Sequence, residues 1–264
     1  MSARVEIEDG VVFGTTGVRD LRADVFRPAD HSDGLLPGVV FVHGGSWRTG
    51  DRTQLRGYGV LVGRRGYVGM ATEYRLIPEA TYPENLHDVK AAIRWMRANA
   101  GELGVDPNRI AVHGNSAGGH LALLAAATGD HADLEGDGGN NDVSSAVQAC
   151  IAIYPPTLFD DEGWEVGARP SEALFENGST PEIRDAASPL LRVHADFPPT
   201  FLVHGTADEL VPPRASLRMY DALIAAGVST ELKMVADQPH AFDAEPTFGR
   251  QVANEIVHFL DRYL

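Results

Sequence analysis

The chain has 264 residues, 44% of them hydrophobic and 22% charged, which is the profile of a single globular domain with one large core and not of a disordered segment. A formal net charge of −15 sets long-range repulsion against nucleic acid and anionic membrane, so neither is expected as a partner, and leans the field towards neutral or cationic substrates. The single cysteine, Cys150, rules out an internal disulfide and reads as a small buried hydrophobe within an apolar run.

The first ten residues carry no apolar segment of the signal-peptide kind, and no apolar run reaches the roughly 18 residues a membrane span requires. A soluble, cytoplasmic protein is expected. Residues 11–13 and 21–26 read as antiparallel leading strands, the second by its alternation of Leu21, Ala23 and Val25 with Arg22 and Asp24. Central strands are predicted at 39–42, 68–72, 110–113, 149–154, 200–203 and 232–235. Helical spacing marks Leu86, Val89, Ile93 and Met96, then an alanine- and leucine-rich stretch over 119–127. It recurs at Leu217, Tyr220 and Ile224, and at Val252, Ile256 and Phe259; all these stripes are expected to be core. Pro213 suits a first helical turn and Gly227 a C-cap. Residues 134–142, rich in Gly, Asp and Asn, read as an exposed linker without the ligand spacing of a calcium loop. Strands alternating with helices predict a mostly parallel sheet of about eight strands, flanked by helices in one domain spanning 1–264. The proline-rich stretch 155–199 is a candidate short cap, with Phe159 and Trp164 as candidate pocket residues.

Gly114-Asn115-Ser116-Ala117-Gly118 follows a short apolar strand and opens a helix, the strand–turn–helix setting of a nucleophile elbow. Small neighbours are needed because the backbone turns so tightly there, and the helix N-terminus faces any negative charge that develops at the serine. His43-Gly44-Gly45-Ser46-Trp47 follows another strand, and its glycines let backbone N–H groups approach an oxyanion closely. Gly45, Ser46 and Ala117 are the expected N–H donors, with Gly44 as a close-approach residue. Trp47 packs under that loop or forms a pocket wall. A serine hydroxyl needs an adjacent base, and the base needs an orienting carboxylate. His240 and Asp208 lie in loops that follow strands, where open α/β sheets place their chemistry. Asp208 is also suited to a simple Asx-turn, while Glu209 beside it should point away. His204 is expected to be a packed, hydrogen-bonded histidine, and His113 and His120 to point away from the cleft. No His or Cys pair has a metal-ligand spacing, so no metal is expected.

These motifs, together with Tyr74-Arg75-Leu76, Asp106-Pro107 and Arg109-Ile110, resemble the α/β-hydrolases of the esterase and lipase branch. The likeness is to bacterial feruloyl and acetyl esterases and to kynurenine formamidase, from about residue 19 onwards. Ser46 stands where the hormone-sensitive-lipase pattern has glycine, and Pro239 where glycine is commoner. The resemblance implies an α/β-hydrolase fold and the chain order Ser116, Asp208, His240 for the catalytic residues. It implies a carboxylesterase acting on short-chain acyl or small aryl esters, without a cofactor. An N-formyl amide hydrolase is the nearest rival, and a ligand-binding protein on the same scaffold is the alternative of another class. The expected partner is a small-molecule ester; a homodimer is left open.

Overall fold

Residues 4–29, 34–159, 174–175 and 180–264 are described in the computed structural model. Strands β1 (Val5–Thr15) and β2 (Asp20–Pro28) lead the chain. They are followed by β3 (Leu36–Val42), β4 (Val68–Thr72), β5 (Val105–Asn115), β6 (Ala149–Ile153), β7 (Thr200–Gly205) and β8 (Thr230–Val235). Every residue of β4, β6 and β7 is buried, the signature of strands covered on both faces. The strands form one sheet in the order β1-β2-β4-β3-β5-β6-β7-β8. β2 pairs antiparallel with β1 and β4, and all the other pairs are parallel. The expected layout of two leading antiparallel strands and a parallel remainder is the one observed.

Helices α1 (Arg56–Gly63), α2 (Glu84–Ala98), α3 (Ala100–Leu103), α4 (Ala117–Ala127), α5 (Pro181–Ala186), α6 (Arg214–Ala225) and α7 (Pro246–Tyr263) complete the fold. Period-2 alternation divides the core in two. Val39 and Phe41 of β3 join Val62, Phe201, Ile256 and Phe259 on the face carrying α1 and α7. Val40 and Val42 join Leu86, Ile93, Leu121 and Met219 on the opposite face with α2, α4 and α6. The parallel strands therefore end along one edge, where their following loops meet.

Two local expectations change, and one helix had no legible stripe. In α1, Gly59 and Gly63 stand where side chains of other elements pack: a Cβ on Gly59 would lie 2.5 Å from the Phe26 ring, and one on Gly63 3.1 Å from Val5. Leu217 and Ile224 are exposed, at 44% and 47%, and α6 instead buries Ser216, Met219 and Leu223. The helix is thus rotated from the face its largest apolar residues suggest. The stretch 134–142 is pinned to the body and is no free linker: Glu135 pairs with the buried Lys90 and Arg94, and Arg94 donates to the Gly139 carbonyl. Gly227, at φ +82°, does end α6, with its N–H on Ile224 O and that of Val228 on Leu223 O, as a C-terminal glycine should.

The described part of 155–199 is tied to the body. Phe159 N–H donates to Ser188 Oγ at 2.9 Å, Tyr82 O–H to Ala186 O at 2.9 Å, and the His120 ring to Ala187 O at 2.8 Å. Among the described residues no helix is long and apolar enough to cross a membrane.

Candidate active site

β5 runs straight into α4 through Ser116, whose backbone sits at φ 54°, ψ −120°, a conformation that costs energy for any residue with a Cβ. The flanking glycines make the turn possible. A Cβ on Gly114 would lie 2.1 Å from Gly118 O, and one on Gly118 would lie 2.0 Å from Val42 O. Ser116 N–H donates to Ile153 O at 2.9 Å, and Ser116 O accepts from His120 N–H at 2.9 Å. The hydroxyl is thereby raised at the sheet edge, from a residue held on both sides.

Two loops bring partners to it across 124 and 32 residues of chain. His240 Nε2 lies 2.9 Å from Ser116 Oγ, and His240 Nδ1 lies 2.7 Å from Asp208 Oδ2. The carboxylate accepts from Nδ1–H, so Nε2 is left to accept from the serine hydroxyl. Asp208 is 5% exposed, and its other oxygen accepts the N–H groups of Leu210 and Val211, each at 2.9 Å. One oxygen closes the Asx-turn and the other faces the imidazole, so the two readings of Asp208 coexist. Burial pushes its carboxyl up, but hydrogen bonds from His204, His240 and Val211 outweigh burial and hold it well below the usual range. Glu209 is exposed.

His204 is fully buried. Its Nδ1 meets Ser216 Oγ at 2.7 Å, its Nε2 meets Val211 O at 2.9 Å, and Asp208 Oδ2 lies 3.2 Å from that same Nε2. A packed, hydrogen-bonded histidine was expected; its contact with Asp208 was not. His113 and His120 are both fully buried, away from the serine hydroxyl.

The loop after β3 curls tightly. Gly45 has φ +116°, Ser46 52° and Trp47 58°, and the N–H groups of Arg48 and Thr49 close onto Gly45 O at 3.0 Å. A Cβ on Gly45 would lie 2.1 Å from Thr49 O, so this turn needs glycine. The carbonyl of His43 is anchored by Tyr74 O–H at 3.1 Å, with the two rings stacked 4.5 Å apart. Burial keeps the His43 imidazole below its ordinary pKa, hence uncharged at neutral pH. Among the described residues, no protein acceptor takes the N–H groups of Gly45, Ser46 or Ala117. Unpaired N–H groups at a glycine turn and a helix start suit a developing oxyanion.

Two hollows flank Ser116. The larger is a cleft of about 500 Å³, bordered by Gly44, Leu55, Tyr58, Tyr154, His240 and Asp243 among others. The smaller, of about 10 Å³, is bounded by Ser46, Trp47, Ala117, Pro156, Leu210 and Val211. Trp47 is 1% exposed, packed edge-on to His120 at 5.3 Å and against Phe159 at 6.0 Å. It reaches only the smaller hollow. Phe159, expected on the pocket wall, is 2% exposed and sealed behind Trp47 among His120 and Phe175, because aromatic edge-to-face packing claims its whole surface. Trp164 lies outside the described residues. No group of three or more His, Cys, Asp or Glu among those residues could hold a metal ion.

Sequence reasoning missed the residues beneath the elbow. Asp243 accepts from Tyr58 O–H at 2.8 Å, from Asn115 Nδ2 at 2.6 Å and from Tyr154 O–H. The Tyr154 ring lies 4.5 Å from that of His240. The one legible signal was position: Asn115 sits inside the elbow motif, and Asp243 follows His240 by three residues.

A family model described as BD-FAE matches residues 23–223, a span holding the His43 loop, the elbow and Asp208. The chain belongs to the BD-FAE family. Esterase LipC of Mycobacterium tuberculosis is 34% identical over 219 residues, 78% of this chain and 53% of that protein. Esterase LipQ of the same organism is 33% identical over 253 residues, 92% and 60% of the two chains. This BD-FAE chain thus spans between about half and three-fifths of the length of those curated relatives. Among solved structures, the thermophilic esterase Est2 of Thermogutta terrifontis with propionate bound has a TM-score of 0.83 at 31% identity, covering 99% of this chain and 94% of that one. The BD-FAE chain has the α/β-hydrolase fold.

Proposed function

We propose that this chain is a serine carboxylesterase that cleaves esters of short acyl groups through an acyl-enzyme. The observation that carries the reading is the unbroken hydrogen-bond run from Ser116 Oγ to His240 to Asp208, at 2.9 and 2.7 Å, in a member of a family whose relatives are named esterases. Ser116 attacks the ester carbonyl as His240 takes its proton. Asp208 fixes the productive tautomer and stabilises the imidazolium that forms. The carbonyl oxygen moves into the N–H groups of Gly45, Ser46 and Ala117, each worth about 3 kcal/mol to the transition state. His240 then protonates the departing alkoxide, and the same ring activates the water that releases the acid.

His240 borders the large cleft and not the small hollow. A leaving oxygen must reach that ring, so the alcohol half lies in the cleft and the acyl chain in the hollow. Free space of about 10 Å³ there is roughly one water-sized group, which supports acetyl or propionyl over longer chains.

Hydrolysis of p-nitrophenyl acetate, propionate, butyrate and octanoate tests the reading, together with fluorophosphonate labelling of the wild type and Ser116→Ala. The expected outcome is kcat/KM falling steeply beyond propionate, and label only on the wild type. The variant should retain about 10⁻⁶ of wild-type kcat. Label persisting on Ser116→Ala refutes the nucleophile. Faster turnover of N-formylkynurenine than of p-nitrophenyl acetate moves the activity to N-formyl amides, and no labelling at all leaves a binding protein.

A further inference from the structure

Four aspartates are buried among the described residues: Asp24, Asp88, Asp208 and Asp243. Asp24 pairs with Arg52 and Arg56, Asp88 with Arg75, and Asp208 with His240 and His204. Asp243 has no such partner among these residues. Its donors are two tyrosine hydroxyls and the Asn115 amide, all of them neutral. Burial first, and then the charge of Asp243 itself, push both phenols well above their ordinary pKa, so they stay protonated. With three donors turned towards it and no donation of its own, the carboxyl acts as the acceptor-only, ionised form does. It borders the 500 Å³ cleft beside His240, and no lysine or arginine among the described residues lines that cleft. A negative charge held by neutral dipoles at the wall of a half-open cleft projects its field into that cleft.

We propose that Asp243 makes the cleft a cation-selective subsite, so that esters with an ammonium- or guanidinium-bearing alcohol half are preferred over neutral esters of the same shape and anionic ones are rejected. The inference rests on the carboxylesterase reading and specifies the alcohol that the site takes. The acyl side is unaffected, since the small hollow is bounded by Ser46 and apolar walls.

Three thioacetates with a common acyl group test it: acetylthiocholine, its uncharged 3,3-dimethylbutyl isostere, and S-acetyl-3-mercaptopropanesulfonate. For the wild type at low salt, kcat/KM is expected to favour the cation over the isostere by about tenfold or more. The isostere should exceed the anion by a similar factor, and both ratios should shrink at high salt as the charges are screened. In Asp243→Asn the cation-to-isostere ratio falls towards one, whereas Glu102→Gln, an exposed carboxylate on α3, keeps the wild-type ratio. That control separates the local charge from the overall charge of −15. If Asp243→Asn does not fold, competitive inhibition of the wild type decides the matter: choline should inhibit at least tenfold more strongly than 3,3-dimethylbutanol. Equal rates on cation and isostere, equal inhibition by the two alcohols, or an unchanged ratio in Asp243→Asn overturns the inference and leaves the esterase reading standing. Failure to hydrolyse any of the three thioacetates removes both.

Discussion

Gly44→Ala should lower turnover without unfolding the protein, and the spacing around Gly44 sets the size of the effect. Gly44 is not among the positive-φ residues, so alanine suffers no backbone penalty there and only space matters. An added Cβ would lie 2.9 Å from Asn115 O and 3.3 Å from Ser116 Cβ. Ordinary contact for such atoms is about 3.5 Å, so the His43 loop and the elbow must part by roughly half an ångström. That motion opens the gap between the Ser116 hydroxyl and the N–H groups of Gly45 and Ser46. A 1 Å misplacement can cost about 100-fold in rate, so about a tenfold loss in kcat is expected, with KM changed less than threefold. Overpacking of one methyl should cost about 1 kcal/mol of stability. Steady-state kinetics on p-nitrophenyl acetate, paired with urea unfolding of the same preparations, separates the two effects. Wild-type kcat in a stably folded Gly44→Ala would refute the reasoning, because the loop and the nucleophile would then not be held in register by this contact.

Two further outcomes follow from buried groups. In Asp208→Asn, the paired N–H groups of Leu210 and Val211 hold the amide oxygen on their side and turn the NH₂ towards His240, forcing the wrong tautomer. kcat should fall about 10⁴-fold, and a loss under tenfold would argue against that orientation. His113 and His120 are pushed by burial to about 3 and about 4 respectively. The unfolded chain therefore binds protons that the folded one refuses. The stability these groups contribute is complete above about pH 6.5 and is lost as pH falls towards their folded values, at about 1.4 kcal/mol per pH unit per imidazole. Among the described residues, neither ring nitrogen of His113 has a hydrogen-bond partner. His113→Leu should therefore flatten the acid limb of the urea-midpoint profile between pH 6.5 and 4 and leave the pH 7 midpoint unchanged or raised. An unchanged acid limb would show that His113 does not titrate with unfolding.

Features set by a few consecutive residues could be read before folding. The elbow was legible because a turn at φ 54° followed by a helix tolerates only small neighbours at Gly114 and Gly118. The His43 loop was legible because Gly45 needs a conformation closed to other residues. The central strands were legible because runs such as 68–72 and 149–153 are apolar on both faces. Local pattern failed where burial is set by a distant partner. Leu217 and Ile224 form a good stripe, yet α6 turns Met219 and Leu223 to the sheet. Gly59 and Gly63, which obscure α1, make room for Phe26 on β2 and Val5 on β1. Packing between loops alone set Phe159 behind Trp47, let His204 share Asp208 with His240, and put Asp243 beneath Asn115, 128 residues away along the chain. Backbone geometry is encoded locally, whereas a hydrogen bond or ring contact between loops of different strands exists only once the sheet has set their distance.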